Sequence, residues 1–328
     1  MVHSAGSRDE TAGWTAMLPD TMQVLERGWL SSNNILFTGP LETALVDSGY
    51  HSHAEQTVGL VRASLAHRNL DRIVTTHLHS DHCGGNAALQ RVYRCHTVIP
   101  RAEADLVAHW READFSFIQT GQRLERFAFQ GTLLPGDSIE LGGLSWEALA
   151  APGHDPHALM LYCAKEEILI SADALWEQGF GVVFPELQGR PGFADTHRTL
   201  TAIAALRIRL VIPGHGAPFT GVDKALQNAF ARLDYLAADP RRNARHAVKV
   251  LLKFLLLESQ SLPLAALPEG FARLPLVAEI NARFLGLAPG ALCEWASGAL
   301  IDSGAAARDG SWLVNREPGS AARPPGRT

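Results

Sequence analysis

Thr76-His77-Leu78-His79-Ser80-Asp81-His82-Cys83-Gly84-Gly85 is the stretch on which the reading of this chain turns. It follows the apolar run Ile73-Val74, which has strand character. If the chain stays extended past Thr76, side chains at i, i+2 and i+4 share one side. His77, His79 and Asp81 then lie together, with His82 turning in behind them. Gly84 and Gly85 allow a sharp bend, and a helical pattern begins near Asn86. Three imidazoles and a carboxylate in one short loop are donors of the types that borderline metals such as zinc take.

The same kind of signal recurs downstream. His154 sits in Ala151-Pro152-Gly153-His154, after the strand pattern 144–150. Asp173 follows Ile168-Leu169-Ile170, and His215 follows Leu210-Val211-Ile212 in Pro213-Gly214-His215-Gly216. Each potential ligand lies where an apolar strand ends, and a rigid scaffold presents its functional loops at such ends. Strand patterns are read at 34–38, 43–47, 72–76, 97–99, 144–150, 159–163, 167–171 and 209–212. Helical patterns are read at 53–67, 86–94, 102–110 and 195–206. Strands and helices mixed in this way predict an α/β fold with helices covering sheet faces.

Working outward, character changes after Phe219. Val222, Leu226, Phe230, Leu233 and Leu236 recur at helical spacing, Asp239-Pro240 breaks that helix, and a second, mostly apolar helix runs from about Ala244 to Leu257. Pro275 and Pro289 each open a helix, and Asp309-Gly310 marks a hairpin turn. Helix, helix, hairpin is the order of a winged-helix-like module. The expected organisation is a catalytic domain at 1–221, a mostly helical cap or dimerisation module at 222–315, and a disordered Pro/Gly/Arg-rich tail at 316–328.

Composition narrows the function classes. The 328 residues are 46% hydrophobic and 19% charged, with 29 Lys plus Arg against 34 Asp plus Glu, a formal charge of −5. A polyanion binder is usually basic. The helix opened by Pro289 carries Glu294 and Asp302 and neither Lys nor Arg, which speaks against DNA. The only basic cluster is Arg241, Arg242 and Arg245. Cys83, Cys95, Cys163 and Cys293 contain no C-x-x-C pair and make no disulfide framework. No leader is read at the N-terminus, and the most apolar run, 250–257, is interrupted by Lys253 and too short for a bilayer. A cytoplasmic chain with no membrane partner is expected.

The ordered set H-x-H-x-D-H at His77 to His82, Gly-His at His154, a lone aspartate at Asp173 and a late Gly-His at His215 resembles the metallo-β-lactamase-fold hydrolases over about residues 29–220. The likeness is to glyoxalase II-like and thioesterase-lactonase-like members with a C-terminal module. The resemblance implies an αββα sandwich with two divalent ions at one edge, zinc first and iron or manganese as alternatives. It implies one ion on His77, His79 and His154, a second on Asp81, His82 and His215, and Asp173 bridging both. Such a pair sustains a metal-bridging hydroxide at neutral pH that attacks a carbonyl or phosphoryl centre, with Asp81 also orienting the nucleophile. Asp47 resembles the family's early aspartate, accepting a hydrogen bond from a ligand histidine or nearby backbone.

Where relatives carry G-H-T-x-G-H, this chain has Gly153-His154-Asp155-Pro156-His157, so His157 is displaced by one position and is left off the metal. Trp176, Phe180, Phe184 and His157 are read as substrate-pocket residues, with Gly179 and Gly181 shaping a tight or mobile loop. His51 and His53 lack a following D-H and are read as loop histidines, His53 being placed to cap a helix. Cys83 is read as a small buried filler. The expected function is hydrolysis of a small ester, thioester or lactone by a binuclear enzyme, with a homodimer as one possible state. The alternatives are a phosphodiesterase or nuclease on the same fold and a mononuclear iron oxygenase of the persulfide dioxygenase type.

Overall fold

The computed structural model describes residues 13–316, so all of the expected tail except Arg316 lies outside the described residues. One sheet contains β1 (Met22–Leu25), β2 (Asn34–Thr38), β3 (Thr43–Val46), β4 (Arg72–Val74), β5 (His96–Pro100) and β6 (Gly131–Leu133), in that order. A second is built from β7 (Ser138–Leu141), β8 (Leu144–Ala150), β9 (Leu159–Cys163), β10 (Ile168–Ala172) and β11 (Leu210–Pro213), neighbours running β11-β10-β9-β8-β7. Strands β3 to β6 are parallel, as are β10 and β11, and the other pairings within the two sheets are antiparallel. The helices are α1 (Ala54–Leu65), α2 (Ser80–Cys83), α3 (Asn86–Tyr93), α4 (Ala104–His109), α5 (Ser116–Thr120), α6 (Phe184–Leu187), α7 (Gly192–Ala204), α8 (Val222–Ala237), α9 (Pro240–Ser259), α10 (Pro275–Ile280) and α11 (Pro289–Asp302). A three-stranded sheet, β12 (Ser261–Pro263), β13 (Ala306–Asp309) and β14 (Trp312–Asn315), closes the chain with β14 in the middle.

Alternation along the strands builds the layers. Ile35, Phe37 and Val46 of the first sheet meet Trp146, Leu161, Ile168, Ile170 and Ile212 of the second in one core. The intervening Leu36, Leu45 and Ile73 point outward onto Val58, Val61 and Leu65 of α1 and Leu89 of α3. On the far side Met160, Leu169 and Val211 meet Leu200 and Ile203 of α7. Sheets buried on both faces read as apolar runs, and the product is the expected αββα sandwich. Trp146 is its largest fully buried side chain, with Phe37 edge-on at 5.4 Å between ring centroids and the indole N–H donating to the Leu141 carbonyl at 3.2 Å.

After the sandwich, Ala225, Leu226, Ala229, Leu233 and Leu236 of α8 share a core with α7 and the second sheet. Side chains of α9 to α11 and the hairpin gather in another, which also takes Val182 and Leu187. Packing thus joins α8 to the sandwich, although the expected module begins at its first residue. Asp239 caps α9 through the Arg241 N–H, and Pro240 is its first residue. The pair therefore starts the second helix about four residues earlier than expected, because the first helical N–H has no intrahelical acceptor to lose. In the basic cluster, Arg241 pairs with Asp239 at 2.9 Å and Arg242 lies over the Tyr235 ring at 4.0 Å, so two of the three cations are already engaged. The hairpin forms with Asp309 opposite Trp312, which makes Gly310-Ser311 the turn rather than Asp309-Gly310. The four cysteines are free and buried, and among the described residues no single helix is long and apolar enough to cross a membrane.

Tyr50 ties α9 to the loop after β3. Its hydroxyl donates to Glu258 Oε2 at 2.9 Å and accepts from the Arg123 N–H at 3.0 Å, and its ring meets Phe254 edge-on at 5.0 Å. Truncating Trp146 removes the centre of the intersheet core. Trp146→Ala is expected to cost about 3–5 kcal/mol, read as a fall in the urea midpoint, and a change under about 1 kcal/mol would mean that the sheets do not depend on this contact.

Candidate metal centre

The motif loop is extended only as far as His79; Ser80–Cys83 then winds into α2. His77 and His79 therefore share a side as the spacing predicts, but Asp81 does not join them. The helical turn sends it to His215, whose Nε2 lies 3.2 Å from Asp81 Oδ2. The glycines that follow serve close approach, not a bend. Both have ordinary right-handed backbone, but a Cβ on Gly84 would meet the His51 nitrogen at 2.3 Å and one on Gly85 the Ser48 oxygen at 2.4 Å. Likewise, a side chain on Gly214 would strike Asp173 Oδ1 and one on Gly181 would strike the His154 ring, at 2.3 and 2.5 Å. A bulge at Ile170/Ala172, with Ala172 at φ 45°, turns Asp173 out of the end of β10.

Seven side chains from four loops converge. His77, His79 and His154 form one group of three donors, and Asp81, His82 and His215 another. His77 Nε2 is 3.1 Å and His154 Nε2 2.7 Å from His79 Nδ1. Asp173 lies between the groups, with Oδ1 3.3 Å from His82 Nε2 and Oδ2 3.2 Å from His154 Nε2. A tetrahedral ion with bonds near 2.0–2.1 Å separates its nitrogen donors by about 3.3 Å, close to the His77–His79 spacing and longer than that between His79 and His154.

Hydrogen bonding behind the donors decides which nitrogen keeps a lone pair. His154 Nδ1 lies 2.6 Å from the Val182 carbonyl, which only accepts, so Nδ1 donates there and Nε2 faces inward. His82 Nδ1 donates to Asp47 Oδ2 at 2.7 Å, leaving the buried Nε2 turned inward beside Asp173 Oδ1. The Thr76 hydroxyl gives its proton to Asp47 Oδ2 at 2.8 Å and so accepts from His77 Nδ1 at 3.1 Å. Three imidazoles thus turn their inner nitrogens into the cluster, an arrangement that a cation stabilises and that hydrogen bonds among the rings cannot satisfy. Asp47 is 2% exposed, held at φ 56°, and also accepts the Thr76 N–H at 2.8 Å. It occupies the place behind a histidine that its early position suggested.

Charge follows burial and neighbours. Burial, then the rings of His82 and His79, lower His77 well below the ordinary histidine value, and burial with His154 brings His79 to about 4. Burial also opposes charge on His82, but Asp173 and Asp47 outweigh it and hold that ring well above the ordinary value. Burial likewise opposes ionisation of Asp173, yet His82 and His215 keep its carboxyl well below the usual range. Neutral rings at His77 and His79 thus stand beside an ionised Asp173 that attracts positive charge to His82. A divalent cation meets the same demand when it takes the place of that ring proton.

The expected pocket residues separate. Trp176 is half-buried and sends its indole N–H to Asp173 Oδ1 at 3.3 Å, while Phe184 packs on His79 and His154 at 5.7 and 5.5 Å between centroids. Phe180 is 2% exposed, packed beside α7 and α8 by the turn that pairs Trp176 with Gly179, and borders a small cavity that His154 and Asp173 also line. His157 is exposed, and its backbone N–H donates to Asp155 Oδ1 at 2.7 Å; no contact of its ring with the cluster is found among the described residues. His53 precedes α1 without capping it, its Nδ1 lying 2.9 Å from Ser31 Oγ, and His51 is half-buried. Cys83 is a buried filler, as read.

Sequence reasoning missed Trp29. It is 50% exposed, its ring parallel to His215 within 7° at 5.5 Å and edge-on to Trp176 at 5.5 Å. A tryptophan in an irregular loop carries no periodic signal, so only the fold could place it. Among the described residues, no lysine or arginine hydrogen-bonds or ion-pairs with any of the seven clustered side chains.

Residues 27–215 match the Metallo-beta-lactamase superfamily model. The chain is similar to a hydroxyacylglutathione hydrolase of Rhodopseudomonas palustris (strain HaA2), 34% identical over 35% of this chain and 38% of the relative. A second such relative, from Brucella anthropi, is 27% identical over 56% of this chain and 59% of its own length. The chain thus spans less than two thirds of the length of these relatives. A metallo-beta-lactamase family protein from Thermus thermophilus shares the fold over 91% of this chain and 99% of its own, at a TM-score of 0.56 and 21% identity. With a family model covering more than half of its residues and the histidine–aspartate cluster at the end of an αββα sandwich, this chain belongs to the metallo-β-lactamase superfamily.

Proposed function

We propose that the protein is a binuclear metal hydrolase of a small thioester, ester or lactone, with zinc as the first candidate ion. His77, His79 and His154 would hold one ion, Asp81, His82 and His215 the other, and Asp173 would serve both. The observation that carries this reading is the placement of Asp173, with one oxygen toward His82 and the other toward His154. Two bound cations would repel each other, and a carboxylate shared between them would offset that repulsion. The ions supply Lewis acidity and a water whose pKa falls toward about 7. The chain's own part is positional. Asp47 and Thr76 lock the rings of His82 and His77, the Val182 carbonyl locks His154, and Asp81, beside His215, holds the carboxylate edge that orients the attacking group.

Thioester chemistry is favoured by the hydroxyacylglutathione hydrolases to which the chain is similar. The surroundings point the same way. Trp29 and Trp176 border the second triad and Phe184 the first, and no cation is paired into the cluster among the described residues, so the walls suit an uncharged acyl group better than a phosphodiester backbone. The 222–315 module contributes by packing Val182 and Leu187 into its own core, which holds up the wall that carries Phe184 and the carbonyl bonded to His154.

Chelation is expected to abolish hydrolysis across a panel of acyl thioesters, esters and lactones, zinc is expected to restore it, and elemental analysis is expected to return two ions per chain. Full activity in the chelated protein, or a single iron per chain, would sink the binuclear reading. Trp29→Ala is expected to raise KM for an arylacyl thioester about tenfold with little change in kcat, since a lost apolar contact of this size is worth about 1–3 kcal/mol. An unchanged KM would remove Trp29 from the pocket.

A further inference from the structure

We propose that Asn33 is a positioning residue that sets the second donor triad, Asp81, His82 and His215, independently of the first. It rests on the two-ion reading above. Asn33 stands just before β2, in the first sheet, while His215 follows β11, in the second. The residue is 1% exposed, and its amide grips the backbone around His215. Nδ2 donates to the Pro213 carbonyl at 3.0 Å and the Gly216 carbonyl at 2.7 Å, and the Asn33 N–H donates to the Gly214 carbonyl at 2.7 Å. Oδ1 accepts the Arg27 N–H at 2.9 Å, so both ends of the amide are engaged. Next to it, the Ser32 N–H donates to the Asp81 carbonyl at 2.9 Å.

Two consecutive residues therefore hold the backbone of Asp81 and the residues on either side of His215; the ligand atoms of Asp81 and His215 lie 3.2 Å apart. Only an amide fits this place. The position needs two donors for two carbonyls and one acceptor for an N–H. A carboxylate supplies the acceptor alone, and an alkyl chain supplies neither. The Pro213 carbonyl is buried and costly to leave unpaired, while the exposed Gly216 is free to turn away once its donor is lost. Gly216, at φ 87° with open space around its Cα, is where the loop would swing.

The first triad is fastened by other means. His154 is held through Val182, and its loop through the Thr199 hydroxyl, which donates to the Pro152 carbonyl at 2.7 Å. None of the bonds that Asn33 makes reaches His77, His79 or His154. Asn33 and Thr199 thus each bear on one triad, whereas Asp47 reaches both through His82 and Thr76, so damage at Asn33 should not spread evenly to the first triad.

The test is stepwise metal release from the zinc-loaded full chain against a competing chelator, with stoichiometry by elemental analysis. The ligand-field spectrum of the cobalt-substituted protein serves as a second readout. Asn33→Ala is expected to release one ion about tenfold more readily or more, within the range seen when groups behind metal ligands are removed, with the other ion held as in the native chain. The near-isosteric Asn33→Asp keeps the volume and the bond to Arg27 but loses both donors, and it is expected to behave alike. Thr199→Val is expected to loosen the other ion, giving the reciprocal pattern. Equal loosening of both ions by Asn33→Ala, no loosening of either, or failure of both Asn33 variants to fold would overturn the proposal. A native chain that holds only one ion would overturn the two-ion reading itself, and that is seen before any variant is made.

Discussion

A carboxylate buried at the end of a strand organises this molecule's chemistry. Asp47 accepts from His82 Nδ1, from the Thr76 hydroxyl and from the Thr76 N–H. Those bonds settle a proton on the outer nitrogen of His82 and, through Thr76, on the outer nitrogen of His77. The inner nitrogens of both rings then face the cluster, where a cation is the partner that satisfies them together. A structural carboxylate behind the rings thus turns their inner nitrogens toward the cluster, the orientation that a metal site requires.

Steric permission is the second constraint. Gly84, Gly85, Gly181 and Gly214 each lie where an added Cβ would fall within 2.5 Å of a neighbouring atom, and the atoms they avoid belong to the site or to the backbone behind it. The cluster is assembled by letting loops touch backbone to backbone, which brings donors from both sheets within bonding distance of a common centre. The C-terminal module takes part in the same assembly. Tyr50 binds Glu258 on α9 while its carbonyl carbon borders Gly84, so a helix far along the chain presses on the loop that holds the motif histidines.

Much of this was legible in the residues alone. Apolar runs ending at His154, Asp173 and His215 placed the strands and the loops, because sheets buried on both faces need uninterrupted apolar strands. The donors were legible because few roles other than coordination call for H-x-H-x-D-H. Strands β1, β6, β7 and β12 were not, being edge or short strands, several of their residues half exposed, with too few positions to establish a period. Phe180 and Trp176 look alike in the sequence, a few positions apart, and only a tight turn sends one to the core and the other to Asp173.

The chain itself determined which atoms are available: seven donors, each tethered to a strand end, and an early aspartate to steady them. Which donors group together was decided in three dimensions. Asp81 parts company with His79 because four residues wind into a helical turn, and it meets His215 from 134 positions away, where Ser32 bonds the Asp81 backbone and Asn33 the backbone flanking His215. Local spacing governs direction over a few residues. Distance between remote segments is set by packing and hydrogen bonding across sheets, to which no single stretch of sequence has access.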